Sequence, residues 1–112
     1  MPDGDLALKE LEHHGIVLLP GLVPAEALRG MRQAFARRLR RQRWNDVDGY
    51  EKTERYRLMV QDVLALHQGF VDVALHPVVL GAVRGYVGGG FELVEAKGWL
   101  SKPTRRDFHG WH

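Results

Sequence analysis

Leu28, Met31, Phe35 and Leu39 recur at intervals of three and four between Pro24 and Arg43, the clearest periodic signal in the chain. Such an interval lays apolar side chains along one side of an α-helix, so the pattern predicts a helix over residues 24–43 with those four buried. Pro24 can begin it, because the first turn of a helix does not need its missing N–H. Gly30 lies inside and costs about 1 kcal/mol against alanine, so either something packs close there or the helix is locally weak. A shorter apolar series, Leu6, Leu8 and Leu11, follows Asp3 and Asp5, either of which suits an N-cap, and Gly15 supplies a stop. This predicts a helix over residues 5–14.

Between these two helices the pattern changes to an unbroken apolar run. Ile16-Val-Leu-Leu19 predicts a buried strand, ended by Pro20-Gly21. Residues 44–60 are turn-rich and then charged, with only Tyr56, Leu58 and Met59 apolar between Glu51 and Met59, and predict a loop with a helical turn. Val63 to Leu75 predicts helical structure broken around Gly69. His76-Pro77 marks a boundary, because proline disfavours the helical conformation in the residue before it. A short helix is expected over 78–86, after which Gly88-Gly-Gly90 releases the chain into a final strand over 91–101.

A strand leaves backbone donors and acceptors along each edge that a neighbour must take up. Upstream of the final strand, Ile16–Leu19 is the one strand-like run, so the two are expected to pair. The little sequence after residue 101 adds a further expectation: that these residues are the front portion of a longer domain, or that another chain supplies a partner strand.

Composition narrows the class. With 45% hydrophobic and 27% charged residues and no low-complexity tract, the 112-residue chain has the balance of a globular protein, and one domain is the expected count. It contains no cysteine, which excludes disulfides, thiolate metal sites and cysteine nucleophiles and fits a reducing compartment. Met-Pro-Asp-Gly-Asp has neither the basic start nor the apolar run of a signal peptide, and no stretch has membrane-spanning length, so a cytoplasmic protein without membrane contact is expected.

Sixteen Lys and Arg stand against fourteen Asp and Glu, a net charge of only +2. Five of the arginines, Arg37, Arg38, Arg40, Arg41 and Arg43, crowd one segment. They fall mostly off the apolar stripe and near the helix C-terminus, where cations complement the helix dipole, so they are expected on a solvated face with Arg38 and Arg41 exposed. Aromatic residues able to stack on bases are not interleaved with them, which disfavours nucleic acid as a partner.

Six histidines and no cysteine mean that any metal site would combine imidazole with carboxylate. His13 and His14 close the first helix, a structural role. His76 directly precedes Pro77 and is expected to end a helix. His109 and His112 follow the last strand in a glycine-containing segment beside Trp111, a position where side chains converge on pockets in many sheet enzymes.

Four segments, in order, resemble the phytanoyl-CoA dioxygenase family. Leu11-Glu-His-His-Gly-Ile-Val-Leu-Leu-Pro-Gly-Leu-Val-Pro-Ala-Glu-Ala-Leu28 resembles its opening helix, glycine, strand and second helix. Leu75-His-Pro-Val-Val-Leu-Gly-Ala-Val83 resembles its His-Pro helix, and Trp99-Leu-Ser-Lys-Pro103 its strand ending in Lys-Pro. Gly110-Trp-His112 resembles the start of its Trp-His-x-Asp iron motif. The resemblance implies an α+β fold: an N-terminal helical layer and the first strands of a double-stranded β-helix, or jelly roll, truncated relative to a whole oxygenase domain.

It further implies a non-haem Fe(II)- and 2-oxoglutarate-dependent dioxygenase that hydroxylates a small organic substrate. Iron in that family is held by two histidines and a carboxylate, leaving three positions for 2-oxoglutarate and oxygen. Carried over residue by residue, His112 is the first iron ligand and Lys102 lies near the 2-oxoglutarate site, while His109 matches no ligand. The carboxylate expected two residues after His112, the second histidine and the basic residue for the far carboxylate of 2-oxoglutarate have no counterpart in the chain. A single imidazole does not retain iron, so the 112 residues alone are expected to be inactive and to hold neither Fe(II) nor 2-oxoglutarate. Two other classes compete: a basic polyanion- or nucleic-acid-binding module resting on Arg37–Arg43, and an interaction domain that adds segment 91–102 to a partner's sheet.

Overall fold

The computed structural model describes residues 3–41 and 57–101. In chain order they form α1 (Gly4–His14), α2 (Ala25–Arg41), β1 (Arg57–Val60), a 3₁₀ turn (Val63–Ala65), α3 (Gln68–Ala74), α4 (Pro77–Val87) and β2 (Gly98–Ser101). Helices dominate, and a two-stranded antiparallel sheet stands beside them.

α1 starts and stops as its sequence dictates. The Asp3 carboxylate caps it by accepting from the Asp5 N–H at 2.8 Å, and Gly15 takes the left-handed conformation (φ 73°) while its N–H reaches the Leu11 carbonyl. Ile16–Leu19 then leaves in a single line but does not become a strand. Val17 and Leu19 turn partly inward beside α1, whereas Ile16 and Leu18 stay 73% and 85% exposed. Among the described residues no strand lies beside it to complete a ladder, so the expected strand fails there for want of a partner, not of propensity. The run ends in a turn at Pro20-Gly21, closed by Leu22 N–H to the Leu19 carbonyl at 3.4 Å.

α2 appears where the apolar stripe places it, with the Leu28 N–H bonded to the Pro24 carbonyl at 2.9 Å. Its buried residues are Met31 and Ala34. Phe35 and Leu39 are half-buried, and Leu28 is 38% exposed, so the expectation that all four stripe residues are buried holds fully for Met31 alone. The helix is rotated so that the small Ala34 meets the neighbouring elements. Arg38 is half-buried and pairs with Asp62 at 3.2 Å, in place of the free exposure expected of it, while Arg41 is exposed. Arg43 lies outside the described residues.

The partner of the last strand differs from the expected one. Residues 91–97 are not in a strand, and β2 is confined to Gly98–Ser101. It pairs with β1 in the register Arg57↔Ser101, Leu58↔Leu100, Met59↔Trp99 and Val60↔Gly98, not with Ile16–Leu19. Residues 57–60, expected within a loop, are thus a strand, and an isolated bridge from Asp62 to Ala96 continues the contact. Met59 and Val60 are the most deeply buried side chains described, 1% and 0% exposed. This short pair is where the core is driest.

Helices pack on it and on one another through small residues. Phe35 of α2 and Val63 close on Gly98 of β2, and Leu8 of α1 closes on Gly85 of α4. Ala7 and Ala82 are buried in these same two helices, α1 and α4. The break in segment 63–75 falls at Leu66–His67 and not at Gly69, which is buried inside α3. His67 stops the 3₁₀ turn and begins α3, its Nδ1 accepting the Gly69 N–H at 2.9 Å.

Candidate functional site

Lys102, His109 and His112, the residues that the resemblance and the sequence pattern single out, lie outside the described residues. β2 is the element that leads to Lys102: Trp99, Leu100 and Ser101 are held in the antiparallel pair with β1, so the first part of the Trp99–Pro103 segment runs in a paired strand.

The other histidines are placed and have structural work. His67 and His76 each stand one residue before a helix, with backbone in the extended region, and each accepts the N–H two residues on through Nδ1. The His76 bond to the Val78 N–H is 3.1 Å. An imidazole accepts at Nδ1 only when that nitrogen carries no proton, so both rings place their proton at Nε2 in this arrangement. Pro77 follows as the first helical residue, where its fixed φ favours the start of α4. The expected helix-ending role of His76 is therefore corrected to a helix-starting one. His13 and His14 close α1, both exposed, with His14 Nε2 3.5 Å from Glu10.

Among the described residues no group of three or more His, Asp or Glu side chains could hold a metal ion. The described part of the chain does not by itself fit an iron centre, and the matched ligand, His112, lies outside the described residues.

A groove of about 770 Å³ lies between the α3–α4 corner and the segment Gly89–Leu93. Leu75, Val79, Leu80 and Val83 make one wall and Phe91 and Leu93 the other, with Arg84 and Glu92 as its charged residues. The apolar residues of α4 and the glycine run that follows are visible in the sequence. Their meeting across a groove is not, because residues 88–97 fold back as irregular chain and not as the expected strand. A smaller cavity of about 270 Å³ lies between Leu22–Ala27 and α3, with Asp72 and His76 on its wall. Asp72 accepts from the Gln68 amide at 2.9 Å.

No described helix is by itself long and apolar enough to cross a membrane; α3 and α4 reach that composition only as a pair bent by 41°. No family model, curated protein or solved structure matches this chain.

Proposed function

We propose that the chain is the N-terminal portion of a non-haem Fe(II)- and 2-oxoglutarate-dependent dioxygenase of the phytanoyl-CoA dioxygenase type, acting on a small organic substrate. The observation that carries the reading is the pairing of Trp99–Ser101 in β2 directly before Lys102. In the pattern that the chain resembles, this strand delivers the lysine to the cosubstrate side of the fold and the Trp-His pair follows it. The start of α4 at His76-Pro77 and the α1–Gly15–extended run–α2 order support the same reading. Under it, α1 to α4 form a helical layer and β1–β2 its first strands of a jelly roll.

The roles assigned to individual residues follow from this reading. His112 contributes one imidazole to an Fe(II) site, and Lys102 places a cation near a carboxylate of 2-oxoglutarate. A facial site requires a second histidine and a carboxylate, so these 112 residues hold no iron on their own. No reaction step is assigned to the described residues, which supply no metal site.

Anaerobic Fe(II) titration tests the assignment, on the 112-residue chain and on the reading frame continued past His112. Weak, unsaturable binding by the former and stoichiometric binding by the latter, lost in His112→Ala, is the expected result. A continued frame without an acidic residue two places after His112 removes the chemical basis of the reading.

A further inference from the structure

α2 carries charge and a groove side by side. Arg29, Arg32, Arg37, Arg40 and Arg41 are all exposed, and at about 100° per residue they occupy roughly half of the helix circumference. Glu26 is the helix's one acidic residue, so this face is not neutralised from within α2. Next to it, between α2, α3 and β2, runs a groove of about 310 Å³ walled by Leu28, Phe35, Leu39, Phe70 and Leu100. Arg32 stands on its wall and belongs to both surfaces. Leu28 and Leu100 are 38% and 41% exposed, so apolar surface here is left to water.

We propose that this surface binds an acidic amphipathic helix of another protein. A recessed apolar groove takes side chains spaced three and four apart on one face of a helix, and Arg32 on its wall with Arg29 on the helix face next to it take carboxylates from the positions beside them, whereas Arg37 lies on the opposite side of α2. The charge complementarity selects the sign of the partner, and the groove selects its shape. A duplex nucleic acid would use the arginines but leave the groove empty. Single-stranded nucleic acid needs aromatic faces among the cations, and the aromatic residue of α2, Phe35, is on the groove wall instead. A lipid surface takes a protruding apolar face, whereas Met31 and Ala34 of α2 are already buried within the protein and the apolar surface that remains is concave. The inference does not depend on the oxygenase reading.

The test is fluorescence anisotropy of a labelled 20-residue peptide, leucine at helical three-and-four spacing and glutamate on the adjoining positions, titrated with the 112-residue chain. Saturable binding that weakens as salt is raised is expected. The double variant Arg29→Glu/Arg32→Glu, confined to exposed positions beside the groove, should weaken it at least about tenfold, as should Leu28→Asp, the size of effect that loss of a central contact brings. A scrambled peptide of the same composition separates groove from charge and keeps the test sound if Leu28→Asp unfolds by circular dichroism. The proposal is overturned if the scrambled peptide binds equally well, if the double arginine variant binds as the parent does, or if a 20-base-pair DNA or phosphatidylserine vesicles bind more tightly than the peptide.

Discussion

His67 and Gly30 meet where α3 begins against α2: a Cβ added at Gly30 would stand 2.6 Å from His67 Nε2. The contact is reciprocal, because a Cβ at Gly69 of α3 would stand 2.6 Å from the Met31 sulfur of α2. Each helix thus offers a glycine to a side chain of the other segment. Of the two explanations for a glycine within the apolar helix, close packing is the one that applies.

Gly30→Ala is accordingly expected to destabilise the protein by about 1–3 kcal/mol through overpacking, although helix propensity alone would favour it by about 1 kcal/mol. The ring cannot swing aside freely, since its Nδ1 is held by the Gly69 N–H. In a His67→Ala background the overlap is gone, and Gly30→Ala should become neutral or stabilising. Urea unfolding of the two single variants and the double variant measures the coupling.

The helix-starting histidines make a second prediction. His76→Ala should cost about 0.5–2 kcal/mol, the usual loss of a side-chain N-cap, and His76→Asn should recover most of it because its amide oxygen accepts the same bond. Nitrogen-15 NMR of both rings at neutral pH should show the proton on Nε2. A proton on Nδ1 of the neutral rings would contradict the cap geometry.

Burial separates the consequences of deleting apolar side chains. Met59, 1% exposed in the β1–β2 pair, should cost about 2–5 kcal/mol when replaced by alanine, whereas Leu18, 85% exposed, should change stability by less than about 0.5 kcal/mol. Phe35→Ala should cost about 2–3 kcal/mol, less than a fully enclosed ring would, because Phe35 closes on Gly98 but remains half-buried.

What could be read from the chain follows the range of the forces involved. Asp3, Gly15 and Pro77 act on their own helix ends, and the boundaries they mark are where the sequence places them. The β1–β2 pair joins residues far apart in the chain, and the three apolar residues after Arg57 form too short a run, at the end of a charged segment, to mark a strand without the partner. Ile16–Leu19 shows the converse: apolar throughout and opened by two β-branched residues, it is no strand because none of the described residues lies beside it to complete a ladder. His67 and His76 escaped recognition as caps because Ser, Thr, Asp and Asn usually fill that position. Of the candidate site, Trp99–Ser101 was legible as a strand, while the groove beside Phe91 depended on a fold-back that periodicity does not encode.

The Arg38–Asp62 pair joins the end of α2 to the start of the 3₁₀ turn at 3.2 Å, with side chains 37% and 53% exposed. At that exposure water and salt screen the attraction, and Asp62→Asn should cost less than about 1 kcal/mol. Thermal unfolding at low and high salt checks this: the difference between parent and variant should shrink as salt rises.

The oxygenase reading is tested most directly by succinate formation from isotopically labelled 2-oxoglutarate, with Fe(II) and oxygen, by the reading frame continued past His112. Succinate formed by the parent, and lost together with iron binding in His112→Ala, is the predicted result. Turnover of 2-oxoglutarate by the 112-residue chain alone, or undiminished turnover after His112→Ala, would contradict it.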